Sequence, residues 1–180
     1  MKLLAAGEPL SIQAHPTLEQ ARAGFAAEEA AGVPRDATHR NYRDDNHKPE
    51  MIVALTPFAA LCGFRRTEDS SATFERLSAH MREHADGEVT EAAAEVRRLH
   101  LLLAEADLAG AFEALLTPGS VFRRGGTAEV VSVIEALPDL EALEPELATA
   151  LQISRVHPDD PGVLVALLLN RVDLCLLYTS

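Results

Sequence analysis

Gln13-Ala14-His15 sets an amide oxygen and an imidazole two positions apart, and Asn46-His47-Lys48-Pro49-Glu50 sets an imidazole, an ammonium and a carboxylate within five residues. These side chains bind divalent metals and handle protons. On extended backbone, alternate residues share a face, so Gln13 and His15 can aim at one point. Imidazole and carboxylate are common zinc ligands, and glutamine is an unusual one. Three protein ligands leave a coordination position open, which suits a Lewis acid in catalysis. Pro49 has a fixed φ and biases Lys48 toward extended backbone. Lys48 and Glu50 then share a face, while His47 points elsewhere. Tyr42-Arg43-Asp44-Asp45 lies just before, with its aspartates placed to fix a loop. On spacing alone the ordinary readings stay open: a solvated lysine on a loop and histidines with no ligand role.

The elements that must position these groups lie in the first third of the chain. Residues 2–15 alternate loosely around Gly7 and Pro9 and read as two short strands and a turn. Leu10, Ile12 and Ala14 would face one side, and Ser11, Gln13 and His15 the other. Pro16-Thr17 opens a helix through about Ala30, with Leu18, Ala21, Phe25 and Ala26 on one face and Gly32-Val33-Pro34 as its stop. Residues 35–48 read as a charged loop and residues 51–55 as a buried strand. Residues 57–63 suit either a helical turn or a strand.

Helical periodicity takes over near Thr67. Phe74, Leu77 and Met81 form one stripe, and Val89, Ala92, Ala93, Val96, Leu99 and Leu103 a second. Leu108, Ala111, Phe112 and Leu115 form a third, and Val130, Val131, Ile134 and Leu137 a fourth. Leu143, Leu147 and Leu151 form a fifth. Asp160-Pro161 starts a last helix that includes residues 163–169. Such stripes are core-facing. His80 and His84, four apart, read as an exposed helix face, and Arg123-Arg124-Gly125-Gly126 as a turn between helices. The expected fold class is α+β, a β segment over residues 1–66 beside a helical subdomain over 67–158. Residues 159–174 supply a further helix and begin the return to the β framework.

The 180 residues carry a formal net charge of -12. That charge repels nucleic acid and anionic membranes and demands a local cationic pocket for any phosphorylated ligand. Cys62 and Cys175 are too few for a disulfide scaffold and suit a reducing, cytoplasmic setting. Cys62 lies in an apolar run and reads as a small core residue. No apolar run reaches membrane-spanning length. Aromatic residues make up only 4% and tryptophan is absent, so a sugar would be held by polar groups or a metal and not by ring stacking.

Residues 42–50 read Y-R-D-D-N-H-K-P-E, which resembles the Y-x-D-x-N-H-K-P-E signature of class I mannose-6-phosphate isomerases. Residues 10–16, L-S-I-Q-A-H-P, resemble that family's L-S-I-Q-V-H-P. Residues 50–65 and 160–172 resemble its E-M-x-x-A-L-T-x-F-x-A-L-C-G-F-R and D-P-G-V-L-V-A-L-L-L-N-x-V segments. The resemblance spans about residues 1–172, with a divergent helical middle. It implies a partial cupin-like β framework in residues 1–66 and one zinc ion per full-length chain. It implies Gln13, His15 and Glu50 as metal ligands and Lys48 in substrate handling. It places Lys2 near a sugar phosphate, with Ser11 and His47 lining the same pocket. The reaction it implies interconverts mannose 6-phosphate and fructose 6-phosphate, moving a proton between C2 and C1 through an enediol. Lys48, His47 and Lys2 are the expected catalytic groups, and which of them is the base stays open.

The chain departs from the family pattern in two places. The G-N-x-H-A-Y motif with the fourth ligand and the D-N-x-x-R-A-G motif with the catalytic arginine are not in this sequence. Residues 175–180 replace an expected P-G-E-A turn and read as a non-native tail. The expectation is an internal piece of a monomeric enzyme, inactive by itself. Two other readings stand beside it: a non-catalytic cupin-type module that binds metal or sugar, and a helical interaction domain in which Gln13, His15 and Glu50 are incidental.

Overall fold

A computed structural model describes residues 3–84, 89–137 and 144–175. The chain divides into two compact units, Ser11–Ala54 and the remainder, Met1–Leu10 with Leu55–Ser180.

The smaller unit is built on one helix, α1 (Leu18–Ala30). Thr17 caps it: its side chain accepts from the Gln20 amide while the Gln20 side chain accepts from the Thr17 amide, at 3.2 and 2.9 Å. This reciprocal pair satisfies two backbone donors that a helix start leaves open. Along the inner face of α1 only Ala21 is buried, with Leu18 and Phe25 half-buried beside it; the face continues through half-buried Gly24 and Glu28, and Ala26 is exposed.

The larger unit is α+β. Its two strands, β1 (Phe58–Phe64) and β2 (Leu169–Leu174), form an antiparallel pair with Phe58 opposite Leu174 and Phe64 opposite Leu169. Residues 57–63, ambiguous by sequence, are thus mostly strand. The register slips between Leu61 and Phe64, where Gly63 takes a φ of +68°. The Asn170 Nδ2 spans that bulge, donating to the carbonyl of Phe64 at 2.9 Å and of Cys62 at 3.4 Å.

Between the strands come α2 (Thr67–His84), α3 (Glu91–Ala104), α4 (Leu108–Leu116), α5 (Gly126–Ala136), α6 (Pro145–Ser154) and the one-turn α7 (Gly162–Val165). Each start has a local cause. Thr90 accepts from the Ala93 amide and Asp107 from the Gly110 amide, while Gly125, at φ +97°, turns the chain into α5. Pro145 opens α6, where its missing N–H costs nothing. The stripes read from the sequence converge: Phe74, Leu77 and Met81 pack with Val96, Leu99, Leu103, Leu115, Val130, Ile134, Leu147 and Leu151 in one core. Val89 is the exception, exposed ahead of the helix. Arg123 and Arg124 lie in the expected turn, on the Leu116 carbonyl and Glu91. Leu143 and the His84 side chain lie outside the described residues. His80 sits 3.8 Å from Glu83 on its own helix.

Three expectations are corrected. Residues 3–15 and 51–55 are not strands, and Met51, Ile52 and Val53 are exposed. A strand exists only where a neighbour takes its backbone hydrogen bonds, and among the described residues β1 and β2 pair only with each other. The last helix stops after one turn. Residues 163–168 are buried on every side, so no periodicity marks where helix ends, and Leu169 already pairs with Phe64. Cys62 is exposed, not core, because it lies at the bulge. No helix among the described residues is long and apolar enough to cross a membrane.

Candidate metal centre

The residues singled out by their chemistry fall in the smaller unit, except Lys2, which lies outside the described residues. His15 sits two residues before the Thr17 cap, so the start of α1 determines where its ring is presented. Pro16 between them fixes φ and cannot donate a hydrogen bond. Glu50 comes from the far end of a loop that returns along α1. The two side chains meet, with His15 Nε2 3.8 Å from Glu50 Oε1, and both are solvent-accessible. Gln13 is exposed two residues ahead of His15, and Ser11, His47 and Lys48 are exposed in the same unit.

The return of that loop is built on half-buried polar contacts around one buried side chain. The guanidinium of Arg40 is fully buried. Its Nε donates to the Tyr42 carbonyl at 2.7 Å, its Nη1 to the Val33 carbonyl at 2.5 Å and its Nη2 to Glu29 at 2.7 Å. Its plane also lies over the Phe25 ring, 5.2 Å from the centroid. The Glu28 carboxylate accepts the backbone amides of Asn41 at 3.0 Å and Tyr42 at 2.8 Å. Those amides and the nearby Arg40 charge hold the Glu28 carboxyl below the usual glutamate range, against the opposing effect of its desolvation. Arg35 and then Arg40 do the same for Glu29. The ring of Tyr42 lies on the helix at Gly24, where an added Cβ would be 2.4 Å from Cε2. Asp44 Oδ1 accepts from the Asn46 amide at 3.0 Å, turning the chain into the H-K-P-E segment.

Sequence reasoning placed residues 35–48 in a loop and passed over Gly24, Glu28 and Arg40. A signal was present. Glu28 and Glu29 lie in the last turn of α1, which carries no basic residue. Carboxylates there oppose the helix dipole, so an outside cation was required, and Arg40 and Arg35 provide it.

The donors fit a small divalent ion in kind and spacing. An imidazole nitrogen and a carboxylate oxygen 3.8 Å apart compare with roughly 3.3 Å between neighbouring donors around tetrahedral zinc, from bonds of about 2.0–2.2 Å. Among the described residues no group of three His, Cys, Asp or Glu side chains comes together as a metal-binding cluster, at this pair or elsewhere.

Residues 1–67 match the family described as phosphomannose isomerase type I, catalytic domain. The chain is 37% identical over 174 residues to mannose-6-phosphate isomerase of Salmonella typhimurium, covering 96% of this chain and 40% of that protein. It is 35% identical over 179 residues to mannose-6-phosphate isomerase of Escherichia coli, again over 96% of this chain and 40% of the relative. A crystal structure of the Salmonella enzyme bound to substrate (fructose 6-phosphate) and zinc superposes with a TM-score of 0.72 at 33% identity, over the same shares of the two chains. The chain therefore spans about 40% of the length of the curated relatives it matches. A signature-bearing segment thus matches the type I phosphomannose isomerase catalytic domain, and the chain is similar to mannose-6-phosphate isomerases over nearly all its own length.

Proposed function

We propose that the chain contributes the first part of a zinc centre to an aldose-ketose isomerase that interconverts mannose 6-phosphate and fructose 6-phosphate. The observation that carries this reading is the approach of His15 Nε2 to Glu50 Oε1, two residues far apart in sequence that both lie in family motifs. The match of residues 1–67 to the type I catalytic domain and the ligands named for the Salmonella structure support it.

Gln13, His15 and Glu50 are the metal-holding residues. Zinc bound there would polarise a sugar oxygen and stabilise the negative charge that develops on it. The residues of the chain do the rest. Ser11 orients the sugar by hydrogen bonding. Lys48 and Lys2 offer compact positive charges to the phosphate, a local exception on an acidic chain. Lys48, His47 and Lys2 are the groups that can take the proton from C2 and return it at C1, and the best base has a pKa near the working pH. The reading extends to a partial cupin-like framework around the site, and to a monomer in the cytoplasm.

The test is metal content. Zinc bound at one equivalent by the folded chain, and lost in both Glu50→Ala and His15→Ala, supports the reading. A folded chain that takes up no zinc, or variants that keep it, removes it.

A further inference from the structure

The clasp that fastens residues 40–42 to α1 has no chemistry of its own and faces no candidate ligand. It is nonetheless the most elaborately satisfied polar cluster in the smaller unit. A fully buried guanidinium bonds two backbone carbonyls and a carboxylate. A second carboxylate receives two consecutive backbone amides. An aromatic ring rests where a helix side chain would otherwise stand. A surface loop needs none of this to be a loop. What the clasp does fix is register. His15 is placed by the start of α1, through Pro16 and the Thr17 cap. Glu50 is placed by a chain that leaves the clasp at Tyr42 and turns at Asp44. The clasp anchors that chain to the same helix that sets His15, so the imidazole and the carboxylate share one rigid reference.

We infer that Arg40, Glu28 and the Tyr42–Gly24 contact are positioning elements of the metal centre, holding Glu50 within coordinating reach of His15. This rests on the reading of Gln13, His15 and Glu50 as ligands. Arg40 acts through Tyr42 and Val33, and Glu28 through the amides of residues 41 and 42. Neither touches the metal.

The helix glycine allows a test that separates positioning from stability. Alanine at residue 24 favours the helix more than glycine does, yet its Cβ displaces the Tyr42 ring. The experiment compares zinc affinity, and the visible absorption of bound cobalt(II) as a reporter of coordination geometry, in the 180-residue chain, Gly24→Ala, Glu28→Gln and Arg40→Ala. Helix content and melting temperature are recorded for each. Expected is a loss of zinc affinity of roughly 10-fold to 100-fold with an altered cobalt spectrum, in Gly24→Ala at undiminished helix content. Affinity and spectrum unchanged in a folded Gly24→Ala overturn the inference while the ligand reading stands. No metal bound by the folded parent chain overturns both. If Arg40→Ala fails to fold, Gly24→Ala still decides.

Discussion

Asn170 donates from one side-chain nitrogen to the carbonyls on either side of Gly63, 2.9 Å from Phe64 and 3.4 Å from Cys62. This contact holds open a bulge at which β1 gains a residue over β2 and Gly63 enters the left-handed region. Just beyond it the Arg65 amide donates to the Leu168 carbonyl at 2.8 Å, and the Arg65 guanidinium reaches the Leu167 carbonyl and Thr73. The bulge thus aims the chain from the strand into the helical body.

Gly63→Ala should destabilise the larger unit by about 1–2 kcal/mol, the cost of a side chain in the left-handed region. Space is not the issue, since the nearest atom to an added Cβ is Asn170 Nδ2 at 3.8 Å. Gly63→Asn should cost less, because asparagine tolerates this conformation. Urea unfolding of the two variants checks the order.

Arg40→Ala should lower the stability of the smaller unit by roughly 1–3 kcal/mol, since the Val33 and Tyr42 carbonyls lose a buried donor. Arg40→Lys should recover little of this. One ammonium cannot reproduce a planar fork that serves Val33, Tyr42 and Glu29 at once. Amide hydrogen exchange over residues 33–46 reads the effect locally.

The smaller unit should be acid-labile through Glu28 and Glu29. Both carboxyls sit below their ordinary value in the folded chain. A depressed acid contributes stability above its unfolded pKa and loses it as the pH falls through the folded one. The loss should therefore begin below about pH 4.3, the unperturbed glutamate value, and continue downward. Glu28→Gln should flatten the pH dependence in that range. Amide exchange between pH 3 and pH 6 tests the sign, and a unit that gains stability on acidification would contradict it.

Thr17→Ala should cost on the order of 1 kcal/mol, the usual loss of a helix N-cap. Because His15 stands two residues ahead of the cap, the variant should also weaken zinc binding. Thr17→Ser, which keeps the capping oxygen, should restore both. Thermal melts and zinc titration read the two effects separately.

The approach of His15 to Glu50 was more legible in the sequence than the frame around it. The pairing of His15 with Glu50 rests on residue types and motifs, which a sequence displays directly. The helical core was equally open, because residues such as Phe74, Leu77 and Met81 repeat at the helix period and must share a face. The strands were not, since an apolar run such as residues 51–55 becomes a strand only beside a partner. The stretch 163–169 was misread because uniform burial erases periodicity. Arg40 escaped notice because its partners lie 2, 7 and 11 positions away, on no common local period.

The strand pair also sets an order of assembly. Arg65 and Leu167, joined at the seam, are 102 residues apart in sequence, and closing so long a loop has an entropic cost that nothing local offsets. The contacts within and between successive helices are short-range by comparison. The expected order is that the helices collapse first and bring Phe64 to Leu169, with the two strands pairing afterwards; pulsed amide exchange in which β1 and β2 gain protection before the helices between them would contradict it.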